Sequence, residues 1–259
     1  MKQANPSQVT PRQATAIVVN TIISGRLLIL PREMATTAGI SSWLVLVLGS
    51  LLGLGLVSMY TAVGRRFQHS SLAQYSVQTL GSFFGGALAL LFAASWLVTA
   101  ALASRLFSTV IITAILPRVP LGTSILIMLL LGAHLATQDM KTVARVHELF
   151  LPFIVGTILM VIIPPFTRAS IWRLLPVIQF DNVRQVVSCT LTALTSFLGF
   201  EVVSLFMPFY TRLEMAGRSH NSGLIMVAAL YLLIVLACIG VFGITELSYI
   251  QWPTLELVR

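Results

Sequence analysis

Apolar residues fall in long runs along this chain, each ended by a short polar or proline-containing turn. The runs extend from about Ala14 to Ala38, Trp43 to Ala62, Gly86 to Leu116 and Leu121 to Thr137. A fifth ends near Ile163, a sixth covers Val186 to Tyr210 and a seventh Leu224 to Ile244. Several approach the roughly 20 apolar residues with which a helix crosses hydrocarbon, so about seven membrane helices are predicted. Strand alternation is absent, which argues against a membrane barrel. Between the runs, Ser71 to Phe84 is predicted as a short amphipathic interfacial piece. Asp139 to Phe150 is a charged helix start in which Arg145 and Glu148 are neighbours on one face. Pro164 to Arg184 is a mixed loop, and Arg212, Glu214, Arg218 and His220 are predicted to form a polar turn.

Two runs are interrupted. The first carries Asn20, Thr21, Ser24, Gly25 and Arg26 near its middle, then Pro31; the sixth carries Gly199 and Glu201, then Pro208. Glycine lowers helix propensity by roughly 1 kcal/mol against alanine, and proline breaks or kinks a helix. A carboxylate in hydrocarbon costs several kcal/mol unless it faces a cavity or a partner. Arg26 carries a similar cost, about 2.5–3.5 kcal/mol near the bilayer centre, and Glu201 is its candidate partner. A broken helix exposes amides at one half-helix end and carbonyls at the other, which together suit the two charges of an amino acid. The same residues also fit a plainer account, with glycine at a close helix crossing and a glutamate paired structurally.

Gly49, Gly53 and Gly55 in the second run have the spacing of a packing face. Ser95, Thr99 and Ser104 give the third run a mildly polar side. Composition agrees with the pattern: 57% hydrophobic and 9% charged residues, with a mean hydropathy of +0.93, where soluble domains are nearer 25% charged. The net charge of +8 is scattered over short loops, without the basic stripe and interleaved aromatics of a nucleic-acid binder. Placing the N-terminus inside puts eight Lys and Arg in cytoplasmic loops against six outside, a weak bias for that orientation. The first thirteen residues are polar and do not form a cleavable signal peptide. Cys189 and Cys238 fall inside apolar runs and are expected as buried thiols. No phosphate loop, HExxH, CxxC or Ser/His/Asp set is present, so an enzyme is not expected and no cofactor is implied.

With the N-terminus inside, the first run travels outward and the sixth inward. Interrupted helices at matching positions in two halves of opposite direction point to an inverted-repeat transporter with a midplane site. The chain resembles the B-subunit (permease-like) family of GerA-type spore germinant receptors. The matching pieces are TPRQATAIVVNTIISGRLLILPR, TAVGRRFQHSSLAQY, VARVHELFLPF, LTSFLGFEVVSLFMPF and WPTLELVR. The resemblance implies an all-α integral membrane protein with a LeuT-like inverted-repeat bundle, in which about seven of the usual ten helices are present. A single domain, 1–259, would hold a first repeat over about 12–165 and an incomplete second over about 184–259, as in a C-terminally truncated relative. It further implies a spore inner-membrane subunit working with A-type and C-type receptor subunits in spore germination.

The ligand would be a small germinant such as an amino acid, held between the breaks by Thr21, Ser24, Gly25, Arg26, Phe197, Leu198, Gly199, Phe200 and Glu201. Ser24 and Gly25 would offer backbone groups to its carboxylate, Phe197 to Phe200 would shape the side-chain pocket, and Glu201 would hold the ammonium or brace the unwound helix. Arg26 stands where similar proteins carry a small or apolar residue. Two other readings stay open: a proton-coupled amino-acid transporter with Glu201 as carrier, and a truncated remnant that binds nothing.

Overall fold

A computed structural model describes residues 9–23, 25–68, 70–167, 169–175 and 183–258. The helices are α1 (Pro11–Ile22), α2 (Arg26–Ala38), α3 (Ser42–Arg66), α4 (Leu72–Ala114), α5 (Leu121–Ala136), α6 (Met140–Phe166), α7 (Val183–Thr195), α8 (Val203–Phe206), α9 (Leu213–Leu247) and α10 (Pro253–Glu256). Short 3₁₀ turns occur at Gly39–Ser41, Ile171–Leu174, Phe200–Val202 and Met207–Phe209. Among the described residues the extended pairing is a single parallel bridge between Val9 and Tyr210. The protein is therefore an all-α membrane protein.

By length and apolarity, four segments are able to cross a membrane: Arg26–Arg66, Leu72–Ala114, Met140–Pro165 and Leu213–Leu247. The bent pair Val183–Thr195 and Phe200–Phe209 makes five if it is one span, against the seven that the apolar runs suggest. The difference has physical causes. The first run gives two helices, one ending at Ile22 and the next beginning at Arg26, which leaves α1 with 12 residues, and α5 has only 16. The longest segments are not straight rods either. A 43-residue helix would be about 65 Å long, twice the hydrocarbon thickness. Gly81 takes φ +81° and ψ 170° inside α4, a conformation essentially confined to glycine. A Cβ on Gly85 would lie 2.4 Å from the Ser76 carbonyl oxygen, so the chain doubles tightly on itself there. The piece before Gly81 is the expected short helix, opened by Ser71, whose hydroxyl accepts from the Gln74 amide.

The core gathers around α9, where Leu224, Val227, Tyr231, Ile234, Val235 and Ile239 are fully buried against α1, α2 and α3. Close crossings are made by glycine. A Cβ on Gly49 would sit 2.9 Å from the Ala193 Cβ, joining α3 to α7, and one on Gly223 would sit 3.0 Å from Val18. Gly53 faces Leu224, whereas Gly55 faces nothing within 4 Å, so the packing face holds two of the three glycines. Both cysteines are free and buried.

The 212–220 segment is not a polar turn. The helix starts at Leu213, and His220 is fully buried. The Tyr210 hydroxyl lies 2.8 Å from His220 Nε2, and Thr61 Oγ1 lies 2.8 Å from Nδ1. The Thr61 hydroxyl donates to the Val57 carbonyl at 2.7 Å, so Nδ1 must be the donor toward Thr61 and Nε2 the acceptor from Tyr210. One neutral imidazole thus ties α3, α9 and the segment that precedes α9.

Candidate functional site

Both interruptions predicted from sequence are present, and they meet. α1 ends at Ile22, and α2 begins at Arg26 without a side-chain cap; Ser24 lies outside the described residues. Pro31 does not make the break, because α2 runs through it. Proline at 31 has no amide for the Leu27 carbonyl, and the Thr254 hydroxyl of α10 donates to that oxygen at 2.7 Å. A side chain from the far end of the described chain therefore fills the gap in the ladder.

In the sixth run α7 ends at Thr195, and the chain turns through Ser196 to Gly199 before the 3₁₀ turn and α8. The two parts are bent by 52°. Gly199 takes φ +115°, which a side chain would strain. Its amide donates to Glu201 Oε2 at 2.8 Å, and the Glu201 carbonyl accepts from the Ser204 hydroxyl at 2.7 Å. A Cβ on Gly199 would be 3.0 Å from the Thr21 carbonyl oxygen; the two breaks touch through backbone. Tyr231, buried in α9, donates to the Ile22 carbonyl at 2.9 Å, which occupies one of the orphan acceptors at the end of α1.

The other expected site residues are distributed differently. Phe197 is fully buried and packs on Tyr231 with ring centroids 5.7 Å apart. Phe200 takes the edge of Tyr60 at 5.6 Å, and Leu198 is exposed. Arg26 forms no ion pair with Glu201; the ion pair found among the described residues joins Arg12 to Glu148 at 3.3 Å. Arg26 instead faces a cavity of about 230 Å³ between α2 and α4, lined also by Gly25, Ile29, Glu33, Thr99, Leu102, Ala103 and Leu106.

A second cavity, of about 340 Å³, lies on the other side of the first break, between Asn20, Ile23 and Leu27 and the α6 residues Phe153, Ile154, Thr157 and Ile158. Asn20 donates to the His147 carbonyl at 2.7 Å, while its Oδ1 is buried without a partner. The Ser196 hydroxyl, at the other break, is likewise buried and unpartnered. Such atoms are uncommon and expensive. Asn20 was legible as a polar residue in an apolar run. Ser196 was not, since serine in a membrane helix ordinarily bonds back to its own helix. Among the described residues no group of His, Cys, Asp and Glu is arranged to hold a metal.

Residues 8–259 match the family described as spore germination protein. The chain is 26% identical over 260 residues to spore germination protein A2 of Bacillus subtilis (strain 168), covering 100% of this chain and 71% of that protein. It is 24% identical over 254 residues to spore germination protein YndE of the same strain, covering 98% and 70%. Spore germination protein GerLB of Bacillus cereus is 26% identical over 254 residues, covering 96% and 67%.

Proposed function

This chain belongs to the spore germination protein family, of permease type, and from that membership we propose that it is the membrane subunit that receives a nutrient germinant. The ligand is a small α-amino acid held at the junction of the two helix breaks. The observation that carries this reading is the contact of the breaks themselves, with Gly199 against the Thr21 carbonyl. Half-helix ends with opposite dipoles then converge on one point in the bilayer, where anionic and cationic ligand groups are both accommodated. The unpartnered Asn20 Oδ1 and Ser196 hydroxyl beside the breaks supply acceptor and donor capacity for the same ligand. In this reading Glu201 braces the unwound segment by accepting from Gly199. A carboxylate engaged in that way favours sensing over a proton-carrier role. The fold is of the LeuT-like inverted-repeat kind, the location is the spore inner membrane, and ligand binding shifts the broken helices against A-type and C-type partners.

The test is calorimetric titration of the full chain in lipid nanodiscs with a panel of α-amino acids, followed by the same titration of Ser196→Ala. At least one amino acid is expected to bind, and Ser196→Ala to weaken that binding at least ten-fold by removing the unpartnered hydroxyl. Saturable binding that survives Ser196→Ala unchanged defeats the placement. Counterflow uptake of labelled ligand into proteoliposomes would mark a transporter, and a panel without any binder would mark a remnant.

A further inference from the structure

Arg26 and Glu33 are opposite charges on one face of α2 that open into the same cavity without meeting. Seven residues along a helix amount to about 10 Å of rise and almost two full turns. Helical side chains lean toward the helix N-terminus, so both lean the same way and the gap stays open. Neither residue is ion-paired among the described residues. The wall between them is apolar, made by Ile29 of α2 and by Leu102, Ala103 and Leu106 of α4, with Thr99 the single hydroxyl.

We infer that this cavity is a second ligand site, for a zwitterion whose two charges are separated by an aliphatic chain. The carboxylate of such an ω-amino acid pairs with the Arg26 guanidinium. Its ammonium pairs with the Glu33 carboxylate, and its methylenes lie on the wall made by Ile29, Leu102 and Leu106. An α-amino acid carries both charges on adjacent atoms and satisfies one end only. Two charges left unpaired in or beside hydrocarbon are costly, and an occupant of this shape neutralises both. The site uses no residue of the sixth run and does not depend on ligand binding at the breaks.

The probe is 6-aminohexanoate, with norleucine, its constitutional isomer, as control, titrated into the full chain in nanodiscs. 6-Aminohexanoate is expected to bind wild type at least ten-fold more tightly than norleucine binds this site. Arg26→Gln and Glu33→Gln should each weaken it at least ten-fold, and Glu201→Gln should leave it unchanged. Ala103→Leu fills the cavity from the α4 side with both charges intact, and should abolish 6-aminohexanoate binding even if a charge variant proves unstable. Absence of saturable 6-aminohexanoate binding overturns the inference. So does binding indifferent to Arg26→Gln, Glu33→Gln and Ala103→Leu, or norleucine binding of equal strength that Glu33→Gln removes. Loss of α-amino-acid binding in Ser196→Ala with 6-aminohexanoate binding retained separates the two sites and supports the inference.

Discussion

Gly199 concentrates three constraints in one residue: a φ of +115°, a Cβ position 3.0 Å from the Thr21 carbonyl and an amide held by Glu201. Gly199→Ala is therefore expected to cost about 1–3 kcal/mol, the usual range for a residue forced into a sparsely populated backbone region. The Glu201 pair of variants separates brace from charge. Glu201→Gln keeps an acceptor oxygen for the Gly199 amide and should leave the thermal midpoint in detergent near wild type. Glu201→Ala leaves that amide without its acceptor and should cost about 1–3 kcal/mol. Equal destabilisation by Gln and Ala would show that the negative charge, rather than the hydrogen bond, holds the turn. The glycine and the acid were legible from sequence because both are anomalous in an apolar run. Arg26 was equally anomalous, but it makes no ion pair with the Glu201 that sequence offered it. Glu33 lies on its own helix face two turns away, and a pattern of spacings along α2 does not say which neighbouring helix closes the space beside it.

At the scale of elements, the break in the first run was placed by its small residues and misplaced by its proline. The Pro31 ring fits inside α2 because the carbonyl it strands, Leu27, is taken by Thr254, a partner 227 residues away that no local pattern reveals. Thr254→Val should leave Leu27 unsatisfied and cost about 1–3 kcal/mol. In a Pro31→Ala background the restored amide can take the Leu27 oxygen, so the same Thr254→Val change should cost appreciably less. The comparison is a double-mutant cycle on thermal unfolding, and additive costs would mean that Thr254 stabilises α10 by another route. The number of segments able to cross a membrane by length and apolarity differs from the number of apolar runs for a related reason. Gly81 and Gly25 look alike in sequence, each a glycine beside an apolar run. One turns a helix sharply on itself, and the other separates α1 from α2 in the core. Periodicity reports burial of a face and carries no record of the angle at a joint. His220 was misread similarly: its neighbours Arg212, Glu214 and Arg218 are polar and exposed, while the ring itself turns inward to Tyr210 and Thr61.

In the whole molecule, α1 is fastened on two sides with different chemistry. Toward α9 and the chain before it, the contacts are close and buried. Thr15 donates to the Ser219 carbonyl at 3.0 Å, Val18 abuts Gly223, and Val9 exchanges backbone bonds of 2.7 and 3.0 Å with Phe209 and Thr211. Toward α6, Ala14 and Ile17 pack with Ala144, and the polar contacts hang largely on one residue. Glu148 accepts from the Gln13 amide at 3.0 Å and pairs with Arg12 at 3.3 Å, while Asn20 reaches the His147 carbonyl. The Arg12 side chain is 81% exposed, so its ion pair is screened and contributes within about 0–1 kcal/mol. The Gln13 bond, on a buried side chain, is the stronger tie. Glu148→Ala should accordingly loosen α1 from α6 but not from α9. Amide exchange over residues 11–22 should speed up, while the Val9 and Thr211 amides, bonded to Phe209 and Val9, should stay protected as in the parent. Arg12→Gln should reproduce little of the effect, and added salt should likewise change little. If Arg12→Gln loosens α1 as much as Glu148→Ala, the exposed pair is the true fastener. If neither does, the apolar contacts hold α1 alone, and a ligand at the break must work against packing instead of against a single releasable carboxylate.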